Sequence, residues 1–374
     1  MKILHINSYF QTSGLFKQLY DRQVKAGHKI DVYVPVSHQF PEDRLATSGD
    51  YTLVSRNHNH LDRWLFHFKH RKILKDLLQR YDFNRFELMH AHSLFSNGWL
   101  AWQLHQCYGT PYVVAVRNAD VRTFFGRMPW LRKMGLDIMK DASQIVFISK
   151  NSYNEVYRDY VPNSLKEQLK SKTSIIANGI DDFWHDSINK DKQPCLHQPL
   201  KIVTTGKVNR GKRFVQLAEM VEKLNRLVET ELHIIGPNWD DAILEQLKTF
   251  ETVIYHGAKT KEEMADLYRD MDIFALLSYP ETFGLVYPEA MSQGLPVIYT
   301  QSEGFDSYFD NYQVGVSVEK TDEIGFTEAV EYIIKHYPQF VHNALAGIEH
   351  FRWDAVHDKY ERLYKIVAPS SEDK

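Results

Sequence analysis

The sequence predicts an α/β protein built from two doubly wound parallel-sheet domains, and three observations carry the prediction. Short apolar runs alternate with helical segments from residue 2 onward, the pattern of βαβ units. A polar stretch at 187–199, containing Pro194 and Pro199, interrupts that series, and a second βα series starts at Leu200. The length of 374 residues exceeds what one ordinary core supports, and it suits two domains of roughly 180 residues each.

In order, residues 2–6 form a first strand, 8–14 a polar loop, 15–26 a helix ended by Gly27, and 31–35 a second strand. Strand, glycine-containing loop, helix and strand make one βαβ unit of a doubly wound sheet. Further strands are predicted at 86–90, 112–116, 144–148 and 174–177. In the second series a strand at 200–204 leads into a Gly/Lys loop and a helix over 215–228. Strands at 231–235, 252–255, 273–276 and 296–299 follow. The last helix, 353–367, is amphipathic, with Ala355, Val356, Tyr360, Leu363, Tyr364 and Val367 as its apolar positions. The expected division is an N-terminal domain over 1–186, a linker over 187–199, a C-terminal domain over 200–352, and a closing helix with a tail over 353–374. Two such halves are expected to bind ligands in a cleft between their carboxyl-terminal strand edges.

Composition narrows the function. A net charge of −3 excludes a globally basic nucleic-acid binder. The two cysteines, Cys107 and Cys195, have no metal-ligand spacing and make no disulfide framework, which fits a reducing cytoplasm. The N-terminal apolar run is too short and interrupted for a signal peptide. No stretch approaches the roughly 18 apolar residues of a membrane span, so any membrane contact is expected to be peripheral. The 21 Tyr, 21 Phe and 7 Trp are mostly core, with some left to stack on sugars or bases.

The richest stretch runs from Ser278 to Val297. Pro280 and Gly284 break the chain around Glu281, which places Glu281 in a loop at the carboxyl end of the 273–276 strand. A helix from about Gly284 to Gly294 carries Glu289. The amides of Phe283, Gly284 and Leu285 at its start attract anions. Taken singly, Glu281 reads as a residue compensating a helix dipole and Glu289 as a solvated face residue.

Taken whole, the string resembles the Glu-x7-Glu signature of the retaining glycosyltransferases of family 4 (group 1), which adopt the GT-B fold. Glu281 and Glu289 match its two carboxylates, and Phe283, Gly284 and Leu285 match its Phe-Gly-Leu. Met291, Gly294, Pro296 and Val297 match the helix and strand that follow. The resemblance implies that Glu281 is catalytic and faces the donor sugar hydroxyls, that Glu289 accepts hydrogen bonds from the ribose, and that the three amides meet sugar or phosphate.

The segment Gly206-Lys-Val-Asn-Arg-Gly-Lys212 is similar to the Gly-Arg-Leu-x-x-x-Lys of the same family. Lys207 and Lys212 stand where an Arg and a Lys neutralise the donor diphosphate, with Arg210 as a supplement; a basic surface loop is the plainer reading of this heptad. Gly236, in Ile235-Gly-Pro237, and His256, in Tyr255-His-Gly257, match family loops near the nucleotide base. Asn178-Gly-Ile-Asp181 matches the segment that closes the N-terminal domain, and is equally a plain turn. Two departures stand out. The glycine-rich loop after the first strand keeps Gly14, and the position of a family His after the 112–116 strand holds Arg117, with Asn118 and Asp120 beside it. Those three residues are assigned a contact to phosphate or acceptor. His90 and His92 are as readily strand-end packing as ligands.

Retaining transfer requires a leaving group held on the face from which the acceptor hydroxyl attacks, with lysines and helix N-termini stabilising the departing diphosphate. No carboxylate pair placed as in retaining hydrolases is evident, and Trp239-Asp-Asp241 lies in a plain loop, so no metal or other cofactor is expected beyond the nucleotide-sugar itself. The default donor is a UDP-sugar and the acceptor a glycan or lipid-linked hydroxyl of a surface polysaccharide or glycoconjugate. The basic and aromatic segments 61–72 and 122–134 suit an anionic membrane surface, or are ordinary helices with solvated lysines. A catalytically silent subunit supporting a partner transferase is the alternative from another class. A nicotinamide dehydrogenase is disfavoured because no G-x-G-x-x-G follows either first strand.

Overall fold

A computed structural model describes residues 1–11, 13–45 and 49–368. The chain folds as two compact units, one of Met1–Gly179 with the segment from Trp353 onward, the other of Ile180–Arg352.

The first unit holds a 7-stranded parallel sheet. Its strands are β1 (Lys2–Ile6), β2 (Lys29–Ser37), β3 (Thr52–His58), β4 (Leu88–Ala91), β5 (Tyr112–Val116), β6 (Gln144–Phe147) and β7 (Thr173–Ile175). They lie in the order β3-β2-β1-β4-β5-β6-β7. β4 and β5 are buried along their whole length, as the near-continuous apolar runs of parallel strands require. The helix Trp353–Val367 buries Val356, Tyr360, Leu363 and Tyr364 in the same core as Ile3, Leu19, Val32 and Val34. Arg22 to Asp354 at 2.7 Å and His28 to Glu361 at 2.8 Å tie its outer face. The tail expected beyond it, at 369–374, lies outside the described residues.

The second unit holds a 6-stranded parallel sheet. Its strands are β8 (Leu200–Thr205), β9 (Thr230–Ile235), β10 (Val253–Gly257), β11 (Ile273–Leu276), β12 (Val297–Thr300) and β13 (Gly315–Val318), in the order β10-β9-β8-β11-β12-β13. Each sheet reverses its winding once, between β1 and β4 and between β8 and β11, the switch points where open α/β sheets bind ligands.

The domain division differs from the expected one. Residues 180–186, assigned to the N-terminal domain, and 187–199, assigned as a linker, both belong to the second unit. The polar side chains that suggested a linker are used to fasten it down. Lys192 Nζ donates to the carbonyls of Met271 (2.6 Å) and Arg269 (3.1 Å), His197 Nδ1 meets Asp272 at 2.9 Å, and Asn189 N donates to Ser292 O at 3.0 Å. The edge strands β3 and β13 carry no strong sequence signal. The helix over Glu289 is also shorter than expected, Val286–Met291, because Gly284 and Gly294 take positive φ of 77° and 79° outside it.

Candidate active site

The second sheet's switch point is formed by the loops leaving β8 and β11, which lie side by side: Tyr279 N donates to Gly211 O at 3.0 Å. Asn209 starts the short 3-10 turn Arg210–Lys212, its side chain accepting from Gly211 N (2.9 Å) and Lys212 N (3.2 Å). That turn folds the Lys212 stem back over Gly206, where a Cβ would sit 3.1 Å from Lys212 Cε. Gly206 and Gly236 end β8 and β9 with φ of 153° and 145°, and a Cβ on Gly236 would lie 1.9 Å from Gly206 O. Only glycine fits that contact between the two loops.

Lys212 and Glu281 meet here. Lys212 Nζ lies 2.9 Å from Glu281 Oε2, Ser278 Oγ donates to the same oxygen at 2.6 Å, and Thr282 N donates to Oε1 at 3.0 Å. Burial alone would raise the Glu281 carboxyl, but Lys212, Ser278 and the Thr282 amide together hold it below the ordinary range. Glu281 is therefore an ionised, fixed carboxylate with a cation beside it, 12% exposed.

Glu289 is of the opposite kind. Burial pushes its carboxyl up to about 7, Lys261 opposing and Asp181 reinforcing that shift. Lys261 is itself ion-paired to Asp181. Among the described residues no hydrogen bond or ion pair reaches the Glu289 carboxylate. The amides of Phe283, Gly284 and Leu285 likewise have no acceptor among the described residues. The Phe283 ring contributes only packing, buried against Tyr308 and Phe351 with centroids at 5.2 and 5.9 Å.

Several expected residues stand elsewhere. Lys207 Nζ rides 3.7 Å over the exposed Trp239 ring and does not touch Glu281. Arg210 shares with Arg213, Gln216 and Gln246 a cavity of about 320 Å³ whose lining includes neither Lys212 nor Glu281. His256 turns onto His233, Nε2 to Nδ1 at 2.9 Å, and burial together with His233 and Lys259 keeps its pKa low. Gly14 opens a short 3-10 turn with free space around its Cα. Asp240, assigned to a plain loop, caps the helix Asp241–Leu247, and Asp241 accepts from Asn238 at 2.6 Å.

Arg117, Asn118 and Asp120, assigned to a ligand, make most of their contacts within the first unit, although Arg117 Nη2 is buried without a hydrogen-bond partner among the described residues. Arg117 is buried, its Nε on His92 O (3.1 Å), its Nη1 on Asn178 Oδ1 (3.2 Å), and its guanidinium 5.2 Å from the Phe16 ring centre. Asp120 accepts three amides, of Arg117 (2.8 Å), Leu94 and Phe95 (both 3.0 Å). Burial still leaves its carboxyl at about 6, although those amides and Arg117 lower it. Asn118 accepts from Arg122 Nε at 3.0 Å. His90 and His92 form with His5 a fully buried cluster whose ring nitrogens lie within 4.8 Å of one another. Its donor set is three imidazoles with no carboxylate, and burial depresses the pKa of all three. Sequence reasoning gave no role to Ser278, which reaches Glu281 within one loop, and missed Glu303 and Gly304, whose roles depend on contacts between separate loops.

Two doubly wound parallel sheets, of 7 and 6 strands, are the architecture of a GT-B glycosyltransferase. The family model described as Glycosyltransferase Family 4 matches residues 15–182 and that described as Glycosyl transferases group 1 matches 186–344, and the chain belongs to this family. A D-inositol 3-phosphate glycosyltransferase of Corynebacterium diphtheriae is 26% identical over 76% of this chain and 71% of its own. An uncharacterized glycosyltransferase of Methanocaldococcus jannaschii is 22% identical over 94% of this chain and 93% of its own. Among solved structures, sucrose-phosphate synthase of Thermosynechococcus elongatus superposes with a TM-score of 0.75 at 18% identity, covering 98% of each chain. Anabaena HepE in complex with UDP gives 0.72 at 15% identity over 98% of this chain and 100% of its own.

Proposed function

We propose that this enzyme transfers a hexosyl group from a nucleotide-sugar to a hydroxyl of a glycan or lipid-linked acceptor, with retention at the anomeric carbon and without a divalent metal. The observation that carries the reading is the Lys212–Glu281 pair at 2.9 Å between the β8 and β11 loops, on the same loop–helix segment as the unpartnered Glu289. Glu281, ionised and fixed, accepts hydrogen bonds from the donor sugar. Glu289 accepts from the ribose, and the amides of Phe283, Gly284 and Leu285 take sugar or phosphate oxygens. As the bond from C1 to the diphosphate oxygen breaks, Lys212 stabilises the charge that develops there. The acceptor oxygen bonds to C1 from the same face and its proton passes to a phosphate oxygen, so no protein nucleophile is needed. Lys207, on Trp239, has no direct part in this scheme.

A UDP-sugar is the first donor to try, since Anabaena HepE, of the same fold, has been solved in complex with UDP-glucose. An acceptor in surface polysaccharide or glycoconjugate synthesis fits the first unit's exposed Leu61, Trp64, Leu65, Phe68 and Trp130. Arg63 and Lys72 lie over two of those rings, Trp64 and Phe68, a composition suited to anionic headgroups. No helix among the described residues is long and apolar enough to cross a membrane. Sedimentation with anionic liposomes at low salt tests the peripheral contact, and protein left entirely in the supernatant refutes it.

The function is tested with UDP-, GDP- and ADP-glucose, measuring saturable binding and slow donor hydrolysis. Turnover of one member identifies the base. No binding by any member refutes the reading and favours a silent subunit.

A further inference from the structure

The Glu281 loop is held from outside itself, by the turn that follows β12. Glu281 N–H donates to Glu303 Oε2 at 2.5 Å, and Glu281 C=O accepts from Gly304 N–H at 3.2 Å. Both polar ends of the Glu281 residue are thus gripped by two consecutive residues. Gly304 also presses against the next peptide, where a Cβ would fall 2.1 Å from Thr282 O and 2.6 Å from Phe283 N. One strand-end earlier, Thr300 Oγ1 donates to Ser278 O at 3.0 Å.

The gripping turn is itself cross-tied. Ser302 N donates to Asp306 Oδ2 at 2.6 Å, Asp306 N donates to Glu303 O at 3.0 Å, and Glu303 N donates to Thr300 O at 3.3 Å. Glu303 is buried. Burying a carboxyl group costs free energy that an ordinary turn residue would not carry. What Glu303 supplies is a short bond from its side-chain oxygen to one specific amide.

We propose that Glu303 is a positioning residue for the donor sugar, acting through Glu281, whose backbone it and Gly304 clamp at both ends. The inference rests on the reading of Glu281 as the residue that meets that sugar. Lys212 and Ser278 fix where the Glu281 carboxylate points, while Glu303 fixes where its Cα stands. Both are needed to hold an acceptor against a hydroxyl, since a shift of about 1 Å at a positioned group costs up to about 100-fold in rate. Glu289 lies on the helix Val286–Met291, with none of its own polar groups on the clamp. Glu303 therefore governs the sugar end of the donor and not the nucleotide end.

The test uses the whole chain and whichever of UDP-, GDP- and ADP-glucose the wild type hydrolyses, with the matching nucleoside diphosphate as the binding probe. Glu303→Ala should lower kcat for donor hydrolysis by roughly 10- to 100-fold while diphosphate affinity stays at the wild-type value. Glu303→Gln, whose amide oxygen still accepts from Glu281 N–H, should restore most of the rate. Glu303→Asp, one methylene shorter and the safer variant for folding, should fall between the two. An Ala or Asp variant that hydrolyses donor at the wild-type rate overturns the proposal, as does a Gln variant as slow as Ala. If the wild type binds none of the diphosphates, the assignment of the donor site fails first, and that result is distinguishable from the others.

Discussion

Replacing Glu289 by Gln should move stability and ligand affinity in opposite directions, and the structure sets both signs. The carboxyl ionises near 4.5 in the unfolded chain and near 7 in the folded one. Below 4.5 both states are protonated and the residue contributes nothing to the difference. As pH rises from 4.5 to 7 the unfolded chain ionises first, so the folded state loses stability, and above 7 the loss is complete. Its ceiling is about 3 kcal/mol; partial exposure of the side chain brings the expected value to about 1–2 kcal/mol. Glutamine removes the charge and keeps the shape. Glu289→Gln should therefore melt about 2–6 °C higher than wild type at pH 8, with no difference at pH 4. Loss of a charged acceptor should weaken UDP binding by roughly 10- to 100-fold at pH 8. Wild-type affinity should itself improve as pH rises through about 7. Calorimetric unfolding from pH 4 to 8 and titration with UDP measure the two effects. A melting difference that is the same at both ends of the range, or a variant that binds UDP as tightly as wild type, would refute the reasoning.

Lys212→Met removes the cation beside Glu281 and should cut donor turnover by roughly 100- to 1000-fold. The acid limb of its pH profile should move upward, because Lys212 is the largest of the influences that lower Glu281. Gly236→Ala places a Cβ 1.9 Å from Gly206 O, and urea unfolding should show a loss of about 1–3 kcal/mol. Donor hydrolysis should be unchanged in EDTA; complete loss, restored by manganese, would overturn metal-independent transfer.

The fold was legible wherever a strand is buried on both faces. β5 and β11 coincide with their predicted spans at 112–116 and 273–276, because unbroken apolar runs of that length leave little else for the chain to form. β3 was not legible, since Thr52-Leu-Val-Ser-Arg-Asn-His58 is an edge strand with mostly half-exposed positions and a polar composition. The segment 187–199 failed for a related reason. Lysine and histidine signal solvent in a sequence, yet Lys192 and His197 spend their polar groups on the carbonyls and carboxylate at the end of the helix Lys261–Arg269 and the start of β11.

The site divides along the same line. Glu281 and Glu289 could be singled out because they share one loop and helix, and their spacing is a local property of the chain. The surroundings of Arg117 could not be read, because its residue type suggests an anion while its contacts are to Phe16, His92 and Asn178, none of them near it in sequence. Glu303 was invisible for the converse reason. It stands 22 residues from the amide it holds, and only the adjacency of β11 and β12 brings the two together. A sequence string can therefore single out a candidate carboxylate, whereas groups that fix its position belong to the order of strands. For this reason the decisive variants at this site include Glu303, which no motif contains, as well as Glu281.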